Sequence, residues 1–128
     1  MNDEELLRAA EKAREKAYAP YSEFRVGAAI RTKKGRVFTG ANVENASYGL
    51  SVCAERVAAF KAVAEGEREF EAVAVVTENG VAPCGACRQV LSEFGPDMRI
   101  IVADTEGNHR EYHISDLLPD VFTPADLK

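Results

Sequence analysis

The run Phe70-Glu71-Ala72-Val73-Ala74-Val75-Val76-Thr77 constrains this chain more than any other segment. Apolar and β-branched residues follow one another without alternating with polar ones, which suits a buried central strand. Glu78-Asn79-Gly80 is a turn directly after it. The segments on either side of this strand read as helices. Before it, Val57, Ala58, Phe60, Ala62 and Val63 form an apolar set that Gly66 stops, in a helix opened by the loop Asn45 to Ser51, with Cys53 at its start. After it, Pro83 introduces a helix over Cys84 to Phe94 that Gly95-Pro96 ends.

The remaining elements complete a layered pattern. Asn2 can cap a first helix with Glu5 three positions on, and Leu6, Leu7, Ala10, Ala13 and Ala17 recur at helical spacing up to Pro20. From Val26 to Thr39 two short apolar runs flank Lys33-Lys34-Gly35, which reads as a hairpin whose second strand points toward Asn42 and Glu44. Met98 to Ala103 is a fourth strand and Arg110 to His113 a short fifth. Ser115 is placed to cap a last helix through Leu118. Strands alternating with helices imply an α/β layered fold with a mixed sheet.

The chain has 128 residues, 46% hydrophobic and 29% charged, which fits a single domain over residues 1–128. A domain of this size buries roughly two-thirds of its unfolded surface and needs no disulfides. A net charge of −5 argues against a nucleic-acid backbone as the main partner. The one dense basic cluster, Arg31, Lys33, Lys34 and Arg36, reads as a solvated hairpin tip. The longest uncharged run, Asn45 to Ala54, is far shorter than the ~18 apolar residues of a membrane span. The acidic start, Met1-Asn2-Asp3-Glu4-Glu5, lacks the basic and apolar segments of a secretory signal. A reducing, cytoplasmic setting is expected.

Three cysteines, an odd number, are all the chain has. Each falls at the beginning of an expected helix, where the helix dipole and unpaired N–H groups favour thiolate over thiol. Thiolate is the form that binds zinc. Cys84 and Cys87 share one helical face, and Cys53 joins them from another helix, a cradle of three that leaves the fourth tetrahedral position to water. An open position marks a catalytic rather than a structural zinc site. Glu55, two residues after Cys53, can stand beside the metal without binding it and shuttle protons. Three thiolates also call for a positive partner, and Arg56 or Arg88 lies near enough in sequence; Arg56 is favoured.

The segments Cys53-Ala54-Glu55-Arg56 and Pro83-Cys84-Gly85-Ala86-Cys87-Arg88-Gln89 resemble those of the zinc-dependent cytidine deaminases, in which a non-ligand glutamate accompanies the metal ligands. The likeness extends to Asn42-Val43-Glu44-Asn45, Ser47-Tyr48-Gly49, and Leu117-Leu118-Pro119 with Phe122. It implies a three-layer α-β-α sandwich on a mixed five-stranded sheet, and a small homotetrameric enzyme with one zinc per subunit. Its active sites would lie at subunit contacts and would deaminate free cytidine and 2′-deoxycytidine in pyrimidine salvage. By the same resemblance Cys53, Cys84 and Cys87 are the zinc ligands and Glu55 is the general acid and base. Asn42 and Glu44 would hold the ribose 3′-hydroxyl, Phe24 would pack on the base, and the Ala54 N–H would donate to the pyrimidine 2-oxygen. Phe122 would reach in from a neighbouring subunit, with Tyr48 contributing across the interface.

Other readings differ in what they require. A blasticidin-type antibiotic deaminase shares the zinc motif but matches less well around Asn42 to Asn45. Polynucleotide or nucleotide deamination conflicts with the net charge and with a carboxylate at Glu44. A redox Cys-x-x-Cys pair is a further reading of the thiols, one the joint pattern disfavours. A zinc-stabilised module without catalysis would need a fourth protein ligand, and His109 and His113 sit in a polar stretch that reads as exposed strand.

Overall fold

The computed structural model describes residues 1–127. Helix α1 (Asp3–Arg14) opens on a capping box, the Glu5 N–H donating to the Asn2 side chain at 2.8 Å and the Asn2 N–H to Glu5 at 3.2 Å. Leu6, Ala10 and Ala13 are its buried stripe. The helix ends at Arg14, earlier than the periodicity through Ala17 suggests. The chain leaves because Tyr18 pairs with a distant segment: its N–H donates to the Asn42 carbonyl at 2.9 Å and its carbonyl accepts from the Glu44 N–H at 2.8 Å. Here tertiary pairing outweighs local propensity.

Five strands, β1 (Gly27–Thr32), β2 (Val37–Ala41), β3 (Phe70–Val76), β4 (Arg99–Ala103) and β5 (His109–His113), form one sheet in the order β2-β1-β3-β4-β5. The apolar run Phe70–Val76 is the central strand, as its composition predicts. β3 and β4 are parallel and the other pairs antiparallel. A parallel pair needs a crossover, and helix α3 (Gly85–Phe94) supplies it. Helix α2 (Ala54–Ala64) links β2 to β3, and the short α4 (Ile114–Leu117) follows β5.

Side chains alternate between the two faces of the sheet. Ala28, Ile30, Val73, Val75, Ile100 and Val102 pack in one cluster with Ala58, Ala62 and Leu91 of α2 and α3. Ala29, Ala72, Ala74 and Val76 meet Leu6 and Ala10 of α1 on the other side. The result is an α-β-α sandwich. Two glycines allow helices to lie directly on strands. A Cβ at Gly27 would stand 2.0 Å from the Ala10 carbonyl oxygen, and one at Gly40 2.5 Å from the Ala54 carbonyl oxygen. The Gly40 contact seats the first turn of α2 on β2, and so fixes where Cys53 stands.

Two expectations are corrected. Arg31 is not part of a solvated tip: it is buried, donating to Glu71 at 2.7 Å, to the Met1 carbonyl at 2.9 Å and to Asp3 at 3.4 Å. Lys33 and Lys34 are exposed, with Gly35 at φ +88° closing the turn. The cap of α4 is His113 rather than Ser115, its ring nitrogen accepting from the Ser115 N–H at 3.2 Å. His109 and His113 are exposed. No helix among the described residues is long and apolar enough to cross a membrane.

Candidate active site

Helices α2 and α3 both begin on a cysteine. Cys53 and Cys84 are the N-caps, in extended conformations, and neither side chain makes a capping hydrogen bond. Their sulfurs are therefore free to turn toward each other, and Cys87, buried in the first turn of α3, completes the group. The Sγ atoms are 3.8 Å apart for Cys53 and Cys84 and 3.4 Å for Cys84 and Cys87, and all three lie within 4.8 Å of one another. Zinc–sulfur bonds of about 2.3 Å at tetrahedral angles put sulfurs about 3.8 Å apart, so this spacing fits a zinc ion.

The charge around the sulfurs fits as well. Arg56 directs Nη2 to the Cys53 Sγ at 3.5 Å, while its Nε is buried with no hydrogen-bond partner. A half-buried guanidinium with a buried, unused Nε donor calls for negative charge nearby, which thiolates at the three cysteines would provide. The Cys53 thiol is pushed down to about 5, chiefly by its hydrogen bond with Cys87 and then by Arg56 and Cys84. The Cys87 thiol is pushed up by that same bond to Cys53, by burial and by the charge of Glu55. A dication among the sulfurs favours the thiolate of each. Arg88, the other candidate for this role, is engaged elsewhere: it donates to the Pro83 carbonyl at 2.7 Å and to the Leu117 carbonyl at 2.8 Å.

Glu55 is 4% exposed, in the first turn of α2. Burial pushes its carboxyl up to about 7; the charge on Cys53 adds to this, and its own backbone N–H, Cys87 and Arg56 oppose it. Glu55 and two of the sulfurs face a cavity of about 270 Å³ whose wall also includes Phe24, Asn42, Glu44 and Ser22. Residues from four separate parts of the sequence thus meet in one hollow. A larger hollow of about 450 Å³ lies beside α1, but it contains no cysteine, and Asp3 and Glu111 on its wall are paired with Arg99.

The cavity wall is held by side chains acting on backbone. The Asn42 Oδ1 accepts from the Val26 N–H at 2.9 Å and its Nδ2 donates to the Phe24 carbonyl at 2.8 Å. The Glu44 Oε1 accepts from the N–H groups of Tyr21 and Ser22 at 3.0 and 3.1 Å. Asn42 therefore builds the wall it belongs to. Ala54 is buried as the first residue of α2, where N–H groups lack intrahelical partners.

Three of the six expected substrate-binding residues, Ala54, Tyr48 and Phe122, are not on the wall of this cavity; Ala54 is buried between Cys53 and Glu55, which are. Tyr48 is 73% exposed, edge-on to Tyr21 with ring centroids 5.9 Å apart, and borders a neighbouring hollow with Glu44. Phe122 is 56% exposed on the C-terminal segment, its carbonyl accepting from the Gln89 Nε2 at 2.9 Å. The sequence reading passed over Ser22, Thr77, Val81 and Ala82, which also line the cavity. Thr77 had a signal, as a polar residue closing an apolar strand: it is buried, and its hydroxyl accepts from the N–H groups of Gly80 and Val81.

Residues 1–104 match the family described as the cytidine and deoxycytidylate deaminase zinc-binding region. The chain belongs to this family. A cytidine deaminase of Halalkalibacterium halodurans is 51% identical over 130 residues, covering 99% of this chain and 98% of the relative. The crystal structure of cytidine deaminase from Burkholderia pseudomallei, at 54% identity, superposes with a TM-score of 0.92 over 95% of this chain and 100% of that one. Blasticidin-S deaminase of Bacillus cereus is more distant, 32% identical over 108 residues and 77% of this chain. The domain is thus a zinc-binding one, and Cys53, Cys84 and Cys87 are the group positioned to hold the ion.

Proposed function

We propose that this chain hydrolyses cytidine and 2′-deoxycytidine to uridine and 2′-deoxyuridine with release of ammonia. The observation that carries this reading is the buried Glu55 beside three converging sulfurs, in a cavity whose other wall is Phe24, Asn42 and Glu44. The cytidine deaminases named above, similar along the whole chain, support it over an antibiotic substrate.

When bound, zinc lowers the pKa of water and so supplies a nucleophile at neutral pH. The chain's own residues do the rest. Glu55 takes a proton from the attacking water and passes it to ring N3 as the C4–O bond forms. It then takes the second proton from the new C4 hydroxyl and passes it to the amine as C4=O forms and the C4–N bond breaks, so that one water yields uridine and ammonia. Its raised pKa of about 7 suits both directions of transfer. Arg56 offsets the thiolate charge. The Ala54 N–H, at the start of α2, donates to the pyrimidine 2-oxygen, and Phe24 packs on the base. Asn42 retains one amide hydrogen, and Glu44 one face of its carboxylate, for the ribose 3′-hydroxyl.

We further read residues 1–128 as one deaminase domain that works as a homotetramer. Tyr21, Tyr48, Leu50, Phe60 and Phe122 are exposed and so available to be covered by other copies of the chain, and Phe122 and Tyr48 would then complete a neighbour's site. Three reduced thiols suit the cytoplasm and a role in pyrimidine salvage. Ammonia release from cytidine by the zinc-loaded protein tests the reaction. Turnover of cytidine and 2′-deoxycytidine is expected, and none on either would refute it.

A further inference from the structure

Ser22 was not singled out by its sequence context, yet its hydroxyl is the junction of the cavity wall. It donates to the Glu44 Oε2 and accepts from the Phe24 N–H at 3.0 Å. An ionised carboxylate accepts but never donates, and an N–H donates but never accepts, so both partners fix the direction of the Ser22 proton. A carboxylate has about four acceptor positions. The N–H groups of Tyr21 and Ser22 and the Ser22 hydroxyl occupy three of them, two on Oε1 and one on Oε2. One position remains, on Oε2, beside the cavity that Glu44 lines. That position takes a single donor. A hydroxyl fits it, whereas a phosphate ester, having only acceptors and negative charge, does not.

We propose that Ser22 is a positioning residue that sets this selectivity: it holds the Glu44 carboxylate as a one-donor acceptor for a free sugar hydroxyl, the Phe24 N–H serving only to fix the direction of its proton. The proposal rests on the nucleoside reading above and extends it to a residue that itself need not touch the substrate. Glu44 is tied back to the Tyr21–Ser22 backbone on one oxygen only. Without the Ser22 hydroxyl, Oε2 turns to water, and the substrate must displace that water to bind.

The test compares Ser22→Ala and Ser22→Thr with the parent enzyme on cytidine and on 2′,3′-dideoxycytidine, which lacks the 3′-hydroxyl, with zinc content measured for each. Ser22→Ala is expected to raise KM for cytidine about fivefold, the effect of about one net hydrogen bond, with kcat changed less than about twofold. On the dideoxy substrate the same variant shifts KM by less than about twofold, and Ser22→Thr, which keeps the hydroxyl, restores cytidine binding. In a Glu44→Ala background Ser22→Ala adds no further loss. Should Ser22→Ala fail to fold, Ser22→Cys, with similar volume and a weaker donor, gives the same substrate-dependent shift. An equal loss on both substrates, or no change on cytidine, overturns the proposal. If the zinc-loaded parent itself leaves cytidine intact, the nucleoside reading falls and the proposal with it, and that failure is seen before any variant is made.

Discussion

Two groups of charge stand in this molecule, and they are built to opposite ends. At one end of the sheet Arg31 and Arg99 share Asp3, Glu71 and Glu111, with Arg99 donating to Asp3 at 2.8 and 2.9 Å and to Glu111 at 2.9 Å. The other group, at the starts of α2 and α3, holds three sulfurs and one guanidinium with a buried donor unused. The first group is closed: each cation has its anions, and the N-terminal helix is tied to β1, β3 and β4 by them. The second is left open toward a cavity. Closed groups hold a fold, while open ones keep binding capacity for something the chain does not contain.

The comparison predicts which substitutions change chemistry and which change only stability. Glu55→Gln has the largest effect, a loss of about 10²- to 10⁴-fold in kcat with zinc retained, checked by ammonia release and metal analysis on one sample. Arg56→Gln comes next. Removing the cation beside the thiolates lowers zinc affinity or activity about 10- to 100-fold, measured by competition with a chelator. Arg31→Met, in the closed group, destabilises the fold by about 2 kcal/mol in urea titration, its partners being half exposed, and leaves kcat as it was. A change in kcat there would erase the distinction between the two groups.

The smallest effect is on acid stability. Hydrogen bonding from Arg99 first, with the charges of Arg99 and Arg31, holds the Asp3 carboxyl below its ordinary 3.8. A carboxyl lowered in the folded state stabilises above its unfolded value and loses that contribution as the pH falls through the folded one. The stability difference between the parent and Asp3→Asn is therefore constant near neutrality and shrinks below about pH 4. A difference that grew on acidification would contradict this sign.

Features that depend on neighbours in sequence were legible before the structure. β3 announced itself by an unbroken apolar run, α1 by its capping box, and the sulfur cluster by cysteines at two helix starts. Features that depend on distant partners were not. Arg31 looked like a member of a basic tip because Asp3 and Glu71, which bury it, lie 28 and 40 residues away. α1 ended early for the same kind of reason, a bridge from Tyr18 to Val43. Asn42 and Glu44 could be placed together, but that their side chains build the wall at residues 21–26 could not be read from spacing. Ser22 is an ordinary exposed serine until Glu44 is brought beside it.

The most direct measurement is ammonia release from cytidine and 2′-deoxycytidine by the purified protein, before and after zinc removal, with cytidine monophosphate as the control. An open zinc site serving a free nucleoside predicts turnover of both nucleosides, loss of it without zinc and recovery when zinc is restored, with little action on the phosphate. No turnover of either nucleoside while zinc remains bound would contradict it, and would leave an antibiotic or modified-pyrimidine substrate, or a metal that only holds the fold.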